Sequence, residues 1–213
     1  MGDMTSTRVL PPEYQESSTI DISQDRRFAL LLNVAGIILM FVFGWLFLWA
    51  MMLLRAGTLG NEGIGFSTGS LPDMVRLIFW IIVLLALHII LHEAIHGIFF
   101  WLFTRSRPVF AFRWKYAYAA APGWYINRLP FLITTLAPLV VITAVGLLLM
   151  SAAPPSWLLG IWFVITMNAS GAVGDMVVAW RLLTSPGDTL VEDRGDALTF
   201  YEKKSGPHSE PLI

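Results

Sequence analysis

The chain has 213 residues, 56% of them hydrophobic and 14% charged, with a formal net charge of -1 and a mean hydropathy of +0.66. This composition excludes an ordinary soluble domain and belongs with membrane proteins, and the near-zero charge offers nothing to nucleic acid. Cysteine is absent, which excludes disulfides, thiolate metal sites and thiol nucleophiles together, so any metal ion would be held by His, Asp or Glu.

Residues 1–25 are polar, carry Pro11-Pro12, and lack the basic start and early apolar core of a cleaved signal peptide. They read as a disordered N-terminal tail. Arg26-Arg27 precede a first apolar run, 28–54, closed by Arg55 and long enough to cross a bilayer. A Gly-rich connector over 56–73 follows, and Pro72-Asp73 suits a helix start. The second span, 74–103, contains His92-Glu93-Ala94-Ile95-His96-Gly97. On a helix, histidines four apart lie one turn apart on one face, so His92 and His96 present two imidazoles to one metal ion, with Glu93 beside them as the base for metal-bound water. An ionisable residue at mid-bilayer costs about 2.5–3.5 kcal/mol on insertion scales, so such a cluster inside an apolar run marks a functional site. His88 shares that face but is eight residues, about 12 Å, from His96. It reads as a buried or bracing histidine and not as a ligand.

Between the second and third spans, Phe110, Phe112, Trp114, Tyr116 and Tyr118 alternate with Val109, Ala111, Arg113, Lys115 and Ala117, which predicts one short interfacial β-strand over 109–119. Two readings stay open for it: an aromatic belt at the membrane surface, or an edge strand that pairs with an extended substrate backbone. The third span, 129–151, contains Pro138, which frees a carbonyl and bends the helix. The fourth, 157–183, holds Asn168 and Asp175, seven residues and almost two turns apart, hence on nearly one face. Asp175 is the only acid in that span and a candidate third ligand. Residues 185–213 read as a small cytoplasmic hairpin around Arg194-Gly195-Asp196 and a tail. Glu192 and Asp193 are rival ligands there, but a solvated hairpin is the preferred assignment.

Lys and Arg gather in the N-terminal tail (Arg8, Arg26, Arg27), the middle loop (Arg105, Arg107, Arg113, Lys115, Arg128) and the C-terminal segment (Arg181, Arg194, Lys203, Lys204), against Arg55 and Arg76 on the other side. The positive-inside rule therefore puts both termini in the cytoplasm of a multi-pass protein of the cell membrane. The expected fold is all-α and polytopic: four transmembrane helices within a membrane domain over 26–184, one interfacial strand and a C-terminal hairpin.

HEAIHG in an apolar span, the alternating strand ending in Ala119-Ala120-Ala121-Pro122-Gly123, Leu136-Ala137-Pro138, and Asn168 to Gly174-Asp175 in the last span together resemble the putative membrane zincin peptidases. The likeness covers roughly Met74 to Tyr201 and extends distantly to the site-2 protease class of intramembrane metalloproteases. It implies Zn²⁺ on His92, His96 and Asp175, Glu93 as general base, Asn168 as a substrate-positioning residue, and a membrane-anchored protein or peptide as substrate. The chain has Gly174-Asp175-Met176 where that class has aspartate followed by glycine. The competing expectation uses the same histidines without hydrolysis: a metal-binding membrane protein, or a degenerate peptidase acting as chaperone to membrane partners. Haem ligation ranks below both, because the histidines of the spans all lie on one helix.

Overall fold

A computed structural model describes residues 6–21, 26–57, 69–113, 116–195 and 197–204. The middle of the Gly-rich connector, Trp114, Lys115, Asp196 and the tail with His208 lie outside the described residues.

Long apolar runs with few charges become long helices: α1 (Arg26–Leu54), α2 (Leu71–Thr104) and α3 (Arg128–Ala152). Each is long and apolar enough to cross a membrane. α2 starts where the Ser70 side chain accepts the Asp73 N–H with Pro72 in the first turn, and it ends on Arg105 in a left-handed conformation. The last apolar run is not one straight helix. It divides into α4 (Pro155–Gly171) and α5 (Val173–Thr184), bent by 46° at the break, and the pair makes a fourth span only if counted as one. Gly171 and Gly174 lie at this break, and each costs about 1 kcal/mol of helix propensity relative to alanine.

The fold is mostly helical but not all-α. Where one interfacial strand is expected, the chain forms an antiparallel hairpin of β2 (Val109–Arg113) and β3 (Tyr116–Ala120), with Phe110 opposite Ala119. The alternation of aromatic and other residues runs unbroken through the sequence of both strands, because the two lie an even number of residues apart. The expected C-terminal hairpin, β5 (Leu190–Asp193) and β6 (Ala197–Lys203), is present, but it belongs to a four-stranded antiparallel sheet of order β1-β6-β5-β4. β4 is Tyr125–Asn127, and β1 is Tyr14–Asp21 from the segment expected to be a disordered tail. That expectation does not hold for residues 14–21, which pair with β6 along their length, with a bulge between Glu16 and Ser18. Arg181 on α5 fastens the sheet to the helices by reaching Ser18 and Glu202.

Two apolar cores result. Phe47, Met51, Ile142, Met150, Leu158, Ile165 and Ala169 join α1, α3 and α4. Phe100, Ile126, Phe131, Val178, Leu182, Val191 and Phe200 join the end of α2, α3, α5 and the sheet. Outward, α1, α2 and α3 leave rows of large apolar side chains exposed, among them Phe41, Trp45, Ile78, Ile82, Ile90 and Val140. A soluble monomer does not carry apolar surface on this scale, whereas lipid accepts it.

Candidate metal centre

His92 and His96 of α2 face the break between α4 and α5. His92 Nε2 lies 3.2 Å from His96 Nε2 and 3.2 Å from Asp175 Oδ2, and His96 Nε2 lies 3.5 Å from Asp175 Oδ1. Zinc bonds of about 2.0–2.1 Å to nitrogen and oxygen in a tetrahedron require ligand atoms about 3.3 Å apart. The three side chains meet that spacing without helix movement, and they form a group able to hold a metal ion.

Protonation of the rings points the same way. His92 Nδ1 lies 3.0 Å from Asn168 Oδ1, and His96 Nδ1 lies 3.0 Å from the Thr134 carbonyl. The Asn168 amide is oriented by its other end, whose Nδ2 donates to the Pro138 carbonyl at 3.2 Å. Both Nδ1 atoms thus face oxygen acceptors; with the ring protons there, two bare Nε2 lone pairs and a carboxylate converge on one point. Three converging electron pairs repel one another unless a cation lies between them, and neutral imidazoles with Nδ1–H on an oxygen are the usual metal-binding form. The residues present fit a zinc ion.

Glu93, adjacent to His92 in α2, is held from a different direction. Its Oε2 accepts the Ala119 N–H of β3 at 2.7 Å. Ala119 is the register partner of Phe110, whose ring lies where a Cβ on Gly97 would be. One rung of the hairpin therefore grips α2 at Glu93 and, one turn later, at Gly97. This accounts for the glycine that ends HEAIHG. On its other side the hairpin meets the sheet, where the Tyr118 ring packs on Gly195, a turn residue at φ +94° that has no room for a side chain.

The two residues expected from the last span reach the histidines from opposite sides of the bend, Asp175 on the Nε2 atoms and Asn168 on Nδ1 of His92. Asn168, expected to position substrate, is placed against His92 and Pro138. The residue is 0% exposed and each end of its amide is engaged. In this position it orients a histidine. His88 makes no hydrogen bond to the group of three among the described residues.

Glu192 and Asp193 are not solvated. They are 6% and 8% exposed. Glu192 is consumed by Arg194 and the Tyr201 hydroxyl, whereas Asp193 accepts the Gly195 N–H and feels the charges of His96, Glu93 and Asp175. Burial pushes its carboxyl up to about 7; the Gly195 N–H and the His96 ring oppose the rise, and the Glu93 and Asp175 carboxylates add to it. The sequence signal was there, an acid beside a turn at the end of an apolar strand, but only the packing of β5 against the site reveals its burial. The native state keeps a proton that the unfolded chain releases near its ordinary value of 3.8. Stability of the metal-free protein is thus fully present below about 4 and falls as pH rises towards about 7, by an amount on the order of a few kcal/mol, then levels. Thermal unfolding across this range should show that decline, and Asp193→Asn should flatten it. An equal decline in Asp193→Asn would assign it to another group.

A family model, DUF3267, described as "Putative zincin peptidase", matches residues 71–190, from the first residue of α2 to the start of β5. No curated protein and no solved structure gave a significant match.

Proposed function

Starting from a chain that belongs to the DUF3267 family, described as "Putative zincin peptidase", we propose that it is a membrane-embedded zinc metallopeptidase that hydrolyses peptide bonds of membrane-anchored substrates. The observation that carries this reading is the convergence of His92 Nε2, His96 Nε2 and an Asp175 carboxylate oxygen within 4.8 Å of one another, next to Glu93, which is held by the Ala119 N–H.

In this reading His92, His96 and Asp175 would hold Zn²⁺. A bound ion would supply Lewis acidity to the scissile carbonyl and to water. Glu93 would act as the proton carrier, accepting a proton from the attacking water and giving it to the leaving amine. Its Oε2 is occupied by the Ala119 N–H, so Oε1 is the oxygen free for the proton. β3 runs beside Glu93, which supports the edge-strand reading: a substrate must unwind to be cleaved, and an extended backbone can add to a strand. The four spans would lie in the cell membrane with both termini and the sheet on the cytoplasmic side, as the Lys and Arg distribution favours.

The test is reconstitution of the purified chain in lipid vesicles with a membrane-anchored peptide substrate. Cleavage is expected, lost on treatment with a zinc chelator and restored by stoichiometric Zn²⁺. Cleavage that survives complete removal of the metal would overturn the mechanism.

A further inference from the structure

Pro138 lies inside α3. It is buried, as is Thr134 one turn before it. In a regular helix the N–H of residue 138 would bond the carbonyl of residue 134. Proline has no N–H, so the Thr134 carbonyl is left without its helical partner in a setting where an unpaired carbonyl is costly. That carbonyl is the acceptor 3.0 Å from His96 Nδ1. The carbonyl of Pro138 itself takes Asn168 Nδ2 at 3.2 Å, and this bond leaves Asn168 Oδ1 directed at His92 Nδ1.

One proline thus stands behind both rings. Its missing donor supplies the acceptor for His96, and its carbonyl sets the amide that receives His92. We propose that Pro138 is a positioning residue of the metal centre, which fixes both histidines as the Nδ1–H form with Nε2 directed at the ion. The proposal rests on the metal-binding half of the function above and is independent of whether the bound ion hydrolyses peptides. Thr134, whose hydroxyl bonds the Pro130 carbonyl, takes part through its backbone only, so its side chain is not part of the device.

Alanine at 138 restores the N–H, which then competes with His96 for the Thr134 carbonyl. Partners of metal-binding histidines are worth about 10–100-fold in metal affinity, and a loss in this range is expected for Pro138→Ala. Zinc affinity is read by competition with a chromophoric chelator, using the full chain in detergent or nanodiscs. Because the ring also bends the helix, a second variant isolates the donor: lactic acid at position 138, which has alanine's side chain but an ester oxygen in place of N–H. The ester variant should bind zinc within a few-fold of the parent chain. In the zinc-loaded protein, the ¹H–¹⁵N signal of His96 Nδ1 should show a hydrogen-bonded proton in the parent and ester chains, and a weakened bond in Pro138→Ala.

Equal weakening in the alanine and ester variants would mean that the ring's shape matters and not the absent donor, which overturns the proposal. So would Pro138→Ala with unchanged zinc affinity and an unchanged His96 spectrum. A parent chain that binds no zinc at all would instead refute the metal centre from which the proposal starts.

Discussion

Glu93→Gln should abolish peptide hydrolysis while the protein keeps its zinc. A positioned general base contributes about 10²–10⁴-fold in rate, so kcat is expected to fall by at least that range, with KM and metal stoichiometry little changed. Glutamine is the informative substitution. Its side-chain carbonyl still accepts the Ala119 N–H that Glu93 Oε2 receives at 2.7 Å, so the grip of β3 on α2 survives while the proton acceptor is removed. Alanine removes both, leaving the Ala119 N–H without an acceptor at a cost of about 1–3 kcal/mol, and the two losses would be confounded. The measurement is cleavage of a vesicle-anchored substrate alongside zinc content on the same sample. If Glu93→Gln loses the metal as well, Glu93 supports the site instead of acting on water. If its biological function persists with zinc bound, the non-catalytic metal-binding reading is correct.

The parts of this site that were legible in the sequence are those that need only local geometry or scarcity. His92, Glu93 and His96 share one helical turn, so their relation follows from helix periodicity alone. Asp175 could be picked out because its span contains no other acid, not because its position was computable. The expected route from spacing, seven residues on one straight helix, is interrupted by the 46° bend at Gly171–Val173. The bend carries Asp175 and Asn168 to different atoms of His92. Nothing local to Asn168 shows that its amide is spent on His92 and Pro138, since both partners come from other helices. Pro138 was recognisable as a helix disturbance, but what the freed carbonyl receives depends on the packing of α2 against α3.

The strands divide in a similar way. Alternation revealed extended structure over 109–119 but could not count strands, because an even number of residues between paired strands keeps the alternation in step. β1 was invisible for a different reason. Its sequence, Tyr14-Gln15-Glu16-Ser17-Ser18-Thr19-Ile20-Asp21, is mostly polar, as suits a sheet edge. Its partner β6 begins at Ala197, so its stability comes from backbone pairing that no local pattern encodes.

Loss of Asp175 should be the most damaging single change to metal binding. Four-ligand structural zinc sites gain about 10–16 kcal/mol from binding, hence about 3 kcal/mol per ligand. A chain reduced to His92 and His96 should therefore bind zinc on the order of 10²-fold more weakly. The carboxylate deserves more than an average share, because it brings the only negative charge to the group of three and removal leaves the ion's charge uncompensated in an apolar setting. Asp175→Asn keeps the size and the position in the first turn of α5 while removing that charge, so it separates ligation by a carboxylate from a packing role. Competition titration with a chelator is expected to show the full loss in Asp175→Asn, and no measurable site once His92→Ala and His96→Ala are added. If Asp175→Asn retained affinity within threefold, the third ligand would have to come from elsewhere. Asp193, buried within electrostatic reach of the same histidine and carboxylates, would then be the residue to replace next, and Asp175→Asn/Asp193→Asn together should remove what Asp175→Asn alone did not.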